Sequence, residues 1–408
     1  MTIRQLLYAI SFSIVIAICG LSAGVFNIPD SYAISVVVSK VFGAAVDNTP
    51  AAIVACDGTY QLVDDGTYID PNAGIEANGL YGFTIDPFLQ VGFLGTQLSG
   101  ATSARLEKLD LTTLTSTLGT TFLGADPKPA LTINTTRQAI YYSYNESAGV
   151  ARIQKADYAM AVGASATIAN TYGSSLMPLT QDGTNTYFTV ATVLVFPAGD
   201  YRLVKFDQDT AIISSISLTN SSNTVGAATL DVDAAGTTVY VGHCFSGGGA
   251  CNPGIDRSSV APFTFLSTLS GLTSLEIAAI AIDDSDGSIY QTNDATTSEL
   301  YKRDSAGTIL GTVQDFTKLY GPRGSIAVDY LNDKIYWAFG NSSNQLVVKR
   351  INRTSFTVEQ TATFNNFNML QTQIGNSMQL DHVHQRLYVA RNNGTAPEVK
   401  RIRLCSTL

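Results

Sequence analysis

Charge is scarce in this chain: only 14% of its 408 residues are Asp, Glu, Lys or Arg, and the basic ones form no run. Without a cluster of Lys and Arg there is no electrostatic footprint for phosphates, so nucleic acid is not an expected partner. Helical periodicity is nearly absent, which excludes bundles and coiled coils. Also missing are an HExxH zinc helix, a P-loop, a strand-linked GxGxxG and a GxSxG nucleophile elbow. The common zinc, nucleotide and acyl-transfer signatures therefore lend no support to an enzyme. Tryptophan occurs once and histidine three times. What is there is a globular composition, 45% hydrophobic, with a net charge of −9 that comes from scattered carboxylates rather than an acidic tail.

The first 33 residues read as a targeting segment. Arg4 supplies a positive start, Leu6 to Cys19 is uncharged and apolar, and Ser31-Tyr32-Ala33 places small residues where a signal peptidase cuts. Two other readings stay open: lipidation of Cys19 after Ile16-Ala17-Ile18, and retention of residues 6–23 as a membrane anchor. All three deliver the body outside the cytoplasm. Residues 34–50 read as a linker and 51–408 as the folded body.

Setting Cys19 aside leaves Cys56, Cys244, Cys251 and Cys405, an even set that suits an oxidising compartment. Cys244 and Cys251 flank a short Gly-rich loop, and Cys56 and Cys405 sit at opposite ends of the body. The expected pairs are 244 with 251 and 56 with 405, against the alternative of four buried thiols.

A repeat of roughly 50 residues decides the fold. Its clearest copy runs Ser325-Ile-Ala-Val-Asp329, a turn, Ile335-Tyr-Trp-Ala338, then Leu346-Val-Val-Lys-Arg-Ile351. The order is apolar run, Asp, turn, apolar-Tyr-apolar, gap, and a strand carrying a basic residue. Asp or Asn markers recur at Asp86, Asn134, Asp182, Asp233, Asp283, Asp329 and Asp381, which makes seven units. Short strands at this period predict an all-β chain: a single seven-bladed β-propeller of four-stranded blades. The last unit stops after its third strand at Leu404-Cys405. The segment Ile53 to Leu62 is expected to supply its fourth strand and close the ring, removing exposed edges.

Ile335-Tyr336-Trp337-Ala338 resembles the YWTD repeat of lipoprotein-receptor propellers, and Leu387-Tyr388-Val389-Ala390-Arg391-Asn392 resembles the YVTN repeat of surface-layer and lactonase-type propellers. The pattern over about residues 80–405 is thus similar to propellers of the YVTN, YWTD and NHL type. Neither consensus is complete, since the Thr-Asp half of YWTD is absent. The resemblance implies architecture and carries over no functional residue.

The repeated Asp or Asn is expected to cap the turn that follows it, a need that recurs in every blade, whereas catalysis needs one asymmetric site. The repeated Tyr240, Tyr290, Tyr336 and Tyr388 are expected to pack between blades. His382 and His384 lie on one face of an extended segment and are the candidate metal ligands, although the segment aligns with ordinary turns elsewhere. Asp283-Asp284-Ser285-Asp286-Gly287 resembles a calcium loop but lacks a downstream Glu ligand. No cofactor is expected, with calcium the one candidate. Six N-x-Ser/Thr sequons, from Asn134 to Asn393, stand against about four expected by chance from this composition, so they carry no firm signal of glycans.

These observations favour an extracytoplasmic, non-catalytic module that binds a protein or glycan at the cell surface or in the envelope. A funnel-site enzyme, such as a lactonase-like hydrolase using calcium, is the alternative. A surface-layer or filament subunit is a third.

Overall fold

A computed structural model of the chain describes residues 59–71, 79–100, 102–124, 127–147, 150–169, 179–181, 186–193, 200–218, 224–233, 235–246, 251–270, 277–293, 298–315, 318–320, 325–368, 377–392 and 396–405. The expected signal segment, the linker, Cys56 and the marker Asp182 lie outside the described residues. Among the described residues there is no helix, and so none long and apolar enough to cross a membrane.

Strand β1 (Tyr60–Ile69) comes first, and six antiparallel sheets follow in chain order. Blade 1 is β2 (Gly79–Asp86), β3 (Val91–Gln97), β4 (Ser103–Asp110) and β5 (Thr115–Leu123). Blade 2 is β6 (Ala130–Asn134), β7 (Ala139–Ser147), β8 (Val150–Asp157) and β9 (Val162–Ala169). Blade 3 is β10 (Leu179–Gln181), β11 (Thr186–Val193), β12 (Asp200–Asp207) and β13 (Ile212–Ser217). Blade 4 is β14 (Thr224–Val232), β15 (Thr238–Ser246), β16 (Cys251–Val260) and β17 (Phe263–Leu269). Blade 5 is β18 (Ile277–Ile282), β19 (Ile289–Asn293), β20 (Ser298–Arg303) and β21 (Ile309–Asp315). In blade 6 the inner strand is split into β22 (Lys318–Tyr320) and β23 (Ile326–Asp329), both paired with β24 (Lys334–Asn341), followed by β25 (Gln345–Asn352) and β26 (Val358–Asn368).

Blade 7 has only three strands of its own: β27 (Met378–Asp381), β28 (Arg386–Asn392) and β29 (Pro397–Cys405). Its fourth is β1, antiparallel to β29, with Tyr60 opposite Cys405 and Ile69 opposite Glu398. The closing strand is Tyr60–Ile69, so it starts seven residues after the expected Ile53. Each inner strand touches the next around the ring, and β27 touches β2. The chain is a closed seven-bladed β-propeller.

Apolar side chains fill the spaces between blades. Every second strand puts an aromatic ring into the cleft towards the next blade: Phe93 meets Ile133 and Tyr158, Tyr290 meets Ile335 and Trp337, Tyr336 meets Leu387 and Val389, and Tyr388 meets Leu80 and Phe83. Between blades 2 and 3, Tyr141 and Tyr187 stack with centroids 3.9 Å apart. The repeated tyrosines therefore serve packing, and Tyr240 joins Ile277 and Ile289 in the same way.

The repeated basic residue of the third strand has a different use in five of the blades. Lys205 Nζ donates to the Val260 carbonyl (2.8 Å), Lys302 to the Arg353 carbonyl (3.2 Å), and Arg401 to the carbonyls of Leu111 (2.6 Å) and Thr112 (3.0 Å). Arg257 donates to the Ser305 carbonyl, and Lys155 pairs with Asp209 at 3.3 Å. Each reaches the outer turn of the following blade. A cation there satisfies carbonyls that a tight turn leaves without partners.

Candidate functional site

In each antiparallel blade the first-to-second and third-to-fourth connections fall at one end of the ring, and the second-to-third and blade-to-blade connections at the other. The short turns are built by the marker residues. Asp86 Oδ1 accepts from Phe88 N and Leu89 N, Asn134 Oδ1 from Arg137 N, Asp329 Oδ1 from Asn332 N, and Asp381 Oδ1 from Val383 N and His384 N. Asp233 and Asp283 cap their turns likewise. This is the Asx-turn role expected from repetition.

The same turns carry a second regularity. Four residues after five of the markers stand Gln90, Gln138, Gly287, Asp333 and Gln385, all with φ between 49° and 71°. Glutamine is uncommon in that left-handed region, and here its side chain compensates. Gln90 Nε2 donates to the Pro87 carbonyl (2.8 Å), and Gln385 Nε2 to the His382 carbonyl (2.9 Å). The motif is thus Asp-x-x-x-Gln, with one end capping N–H groups and the other a carbonyl.

These turns encircle one mouth of the ring, and its two sides differ. Blades 4 and 5 bring carboxylates. Asp231, half-buried on β14, accepts from Val232 N (2.9 Å) and from Ile282 N of the next inner strand (2.8 Å). Burial, followed by the nearby charges of Asp284 and Asp233, nonetheless raises its pKa to about 7. Asp284 opens to solvent at a turn tip, yet crowding by the surrounding turns, then Asp283 and Asp233, lift it to about 6. Asp283 behaves oppositely: against the effect of burial, Ser285 and Arg353 hold it below the usual carboxylate range, with Arg353 Nη1 2.8 Å from Oδ2. In the segment that resembles a calcium loop, Asp283 and Asp286 cap the turn, and both lie within 4 Å of Arg353.

Blades 6, 7 and 1 bring the histidines together with apolar side chains. His384 Nδ1 lies 3.1 Å from Asp381 Oδ2 and 2.8 Å from Gln90 Nε2 of blade 1. His382 meets the Phe88 ring edge-on at 6.3 Å. Burial lowers its pKa, against the opposing charges of Asp381 and Asp329. The two rings thus have different neighbours. Among the described residues no three His, Cys, Asp or Glu side chains converge as metal ligands.

The third histidine was not singled out in the sequence. His243 on β15 is buried with its Nε2 3.2 Å from Asp256 Oδ1 on β16, and Thr268 Oγ1 donates to the same oxygen at 2.5 Å. No spacing signal could have found this pair, because only the hairpin register brings residues 243 and 256 together. Of the cysteines, Cys405 is buried and disulfide-bonded, and its partner lies outside what is described. The register sets Cys244 opposite Pro253 and Cys251 opposite Ser246, a diagonal rather than a facing arrangement. Three sequon residues, Asn134, Asn341 and Asn352, use their side chains to cap turns.

No protein-family model matches the chain, and no curated protein matches it. Among solved structures 950 chains match, so the fold is too widely used to carry a function by itself. One is a chain in a structure titled "Crystal Structure of Mitotic Checkpoint Complex", with a TM-score of 0.61 and 11% identity, covering 89% of this chain and 98% of that one. At that identity the likeness is one of fold alone.

Proposed function

We propose that this protein works outside the cytoplasm as a non-catalytic interaction module that binds a protein or glycan partner. The observation that carries the reading is how its polar side chains are spent. The repeated Asp, Asn, Gln, Lys and Arg residues cap turns and clamp blades, which leaves a rigid ring that presents its two ends. Rigid scaffolds with surface loops are well suited to binding, because little conformational entropy is lost on docking. The apolar N-terminal stretch and the cysteine usage support the location, and the fold neighbour's place in a complex suits a protein partner.

The test is to express the full chain in a host with an envelope, locate it by fractionation, and cross-link surface-exposed protein for mass spectrometry. A discrete partner cross-linked in the extracytoplasmic fraction is expected. Recovery only in the cytoplasm, or no specific cross-link, overturns the reading. The raised pair Asp231 and Asp284 favours one second reading, a funnel-site hydrolase using a protonated carboxyl as general acid. Turnover of a lactone or ester that vanishes in both Asp231→Asn and Asp284→Asn would replace the first reading with that one.

A further inference from the structure

Twelve large hydrophobic side chains are exposed among the described residues, and ten of them lie on outermost strands. The two exceptions, Phe88 at 48% and Leu331 at 40% exposure, both stand two residues after a marker on an inner turn. They belong to blades 1 and 6, and His382 of blade 7 stands between them, in ring contact with Phe88 and electrostatically coupled to Asp329. An arc with two exposed apolar side chains therefore spans blades 6, 7 and 1 of the mouth. Beside it, across blades 4 and 5, stand Asp233, Asp284 and Asp286. Asp286 is 45% exposed and 3.9–4.0 Å from Arg353 and Lys302, whereas Asp284 has carboxylates as its charged neighbours.

The geometry points to this mouth as a docking surface for a separate protein's segment that carries Lys or Arg beside a large apolar side chain. The inference rests on the interaction-module reading and names the partner's chemistry. Charge decides among occupants. A second copy of this chain has a net charge of −9, and residues 1–58 hold two basic against three acidic residues, so neither complements the acidic side. An apolar anchor next to a charged contact also combines affinity with orientation, which a purely acidic face does not supply.

A random dodecapeptide library displayed on phage is the probe, selected against the full chain and against a variant carrying Phe88→Ala, Leu331→Ala, Asp284→Asn and Asp286→Asn. All four positions are at turn tips, and an unchanged melting temperature would show that the variant folds. Peptides enriched in Lys or Arg next to Leu, Phe or Trp are expected, binding the variant at least tenfold more weakly and losing affinity as salt rises. No enrichment, an acidic consensus, or equal binding to the variant overturns the inference. So does concentration-dependent self-association in sedimentation that the variant abolishes. Selected peptides that bind the variant normally would move docking to the opposite end while leaving the interaction-module reading intact.

Discussion

Asp231 accepts two backbone N–H bonds, which favour the charged form, and still keeps its proton to about pH 7 because burial outweighs them. A carboxyl whose folded pKa is raised binds protons more tightly folded than unfolded. Its stabilisation is present in full below the unfolded value near 4 and is lost as pH rises through about 7. The slope is about 1.4 kcal/mol per pH unit for one group. Asp231→Asn keeps an acceptor for Ile282 N but cannot ionise. The variant should match the wild type at pH 4.5 and gain on it steadily towards pH 8, by a few kcal/mol in urea titrations, on the order set by that slope. Parallel stability curves across that range would show that Asp231 is ionised throughout. Arg401 allows a second substitution, since it holds the outer turn of blade 1 through two carbonyls and reaches the Asp65 carbonyl as well. Arg401→Met keeps the stem and removes the donors. A loss of about 1–3 kcal/mol is expected from calorimetry, because buried acceptors left unpaired cost about that much.

At the scale of the strand and turn, much of the repeat was legible because one requirement recurs in each blade. Asp329 and Tyr336 recur at fixed spacing, as in Asp283 with Tyr290 and Asp381 with Tyr388, because each blade needs a turn cap and an interblade ring, while the strand cation, here Arg350, follows at a varying distance. The Gln of Asp-x-x-x-Gln is hard to read from sequence because glutamine is not a residue that left-handed backbone favours. Its fitness lies in the side chain's reach to a carbonyl three residues back. His243 with Asp256 was illegible for the opposite reason, being unique to one blade and dependent on register. The outer strands share a device that no pattern of residue types announces: each of the six from β5 to β26 carries a register shift against its neighbour. Such irregularities twist an edge away from further pairing. Close approach of blades can be tested at Gly82 on β2. A Cβ there would lie 2.5 Å from the Pro129 carbonyl oxygen and 2.8 Å from Leu131 Cγ, so Gly82→Ala must push blade 2 away. A destabilisation of about 1–3 kcal/mol is expected in urea titrations, and an unchanged midpoint would mean that the blades are not in this contact.

The whole molecule depends on a seam. Six blades fold from consecutive strands, while blade 7 joins β1 to β29 from opposite ends of the described chain. Three side chains of blade 7 grip β1: Lys400 reaches Asp64 and Thr67, while Arg386 and Arg401 both reach Asp65. Tyr68 extends the seam to blade 1 through hydrogen bonds with Glu107 and Ser116, and Tyr60 extends it to blade 6 by donating to Asn332. Cys405 ends β29 opposite Tyr60, and the bridge expected from the sequence to Cys56, which lies outside the described residues, would tie this seam covalently. A bridge closing a loop of roughly 350 residues removes much unfolded-state entropy, on the order of 5–6 kcal/mol in the chain-entropy model, although measured gains are commonly smaller. Reduction, or Cys56→Ser, should therefore lower the melting temperature by several degrees while the folded circular dichroism spectrum stays the same. The effect separates the seam from the other expected bridge. Cys244 and Cys251 close a loop of only about eight residues, so breaking that pair should cost less, about 2 kcal/mol in the same entropy treatment. If Cys56→Ser melts like the wild type while Cys251→Ser does not, the covalent tie lies elsewhere, and the ring is closed by β1 pairing and its ion pairs alone.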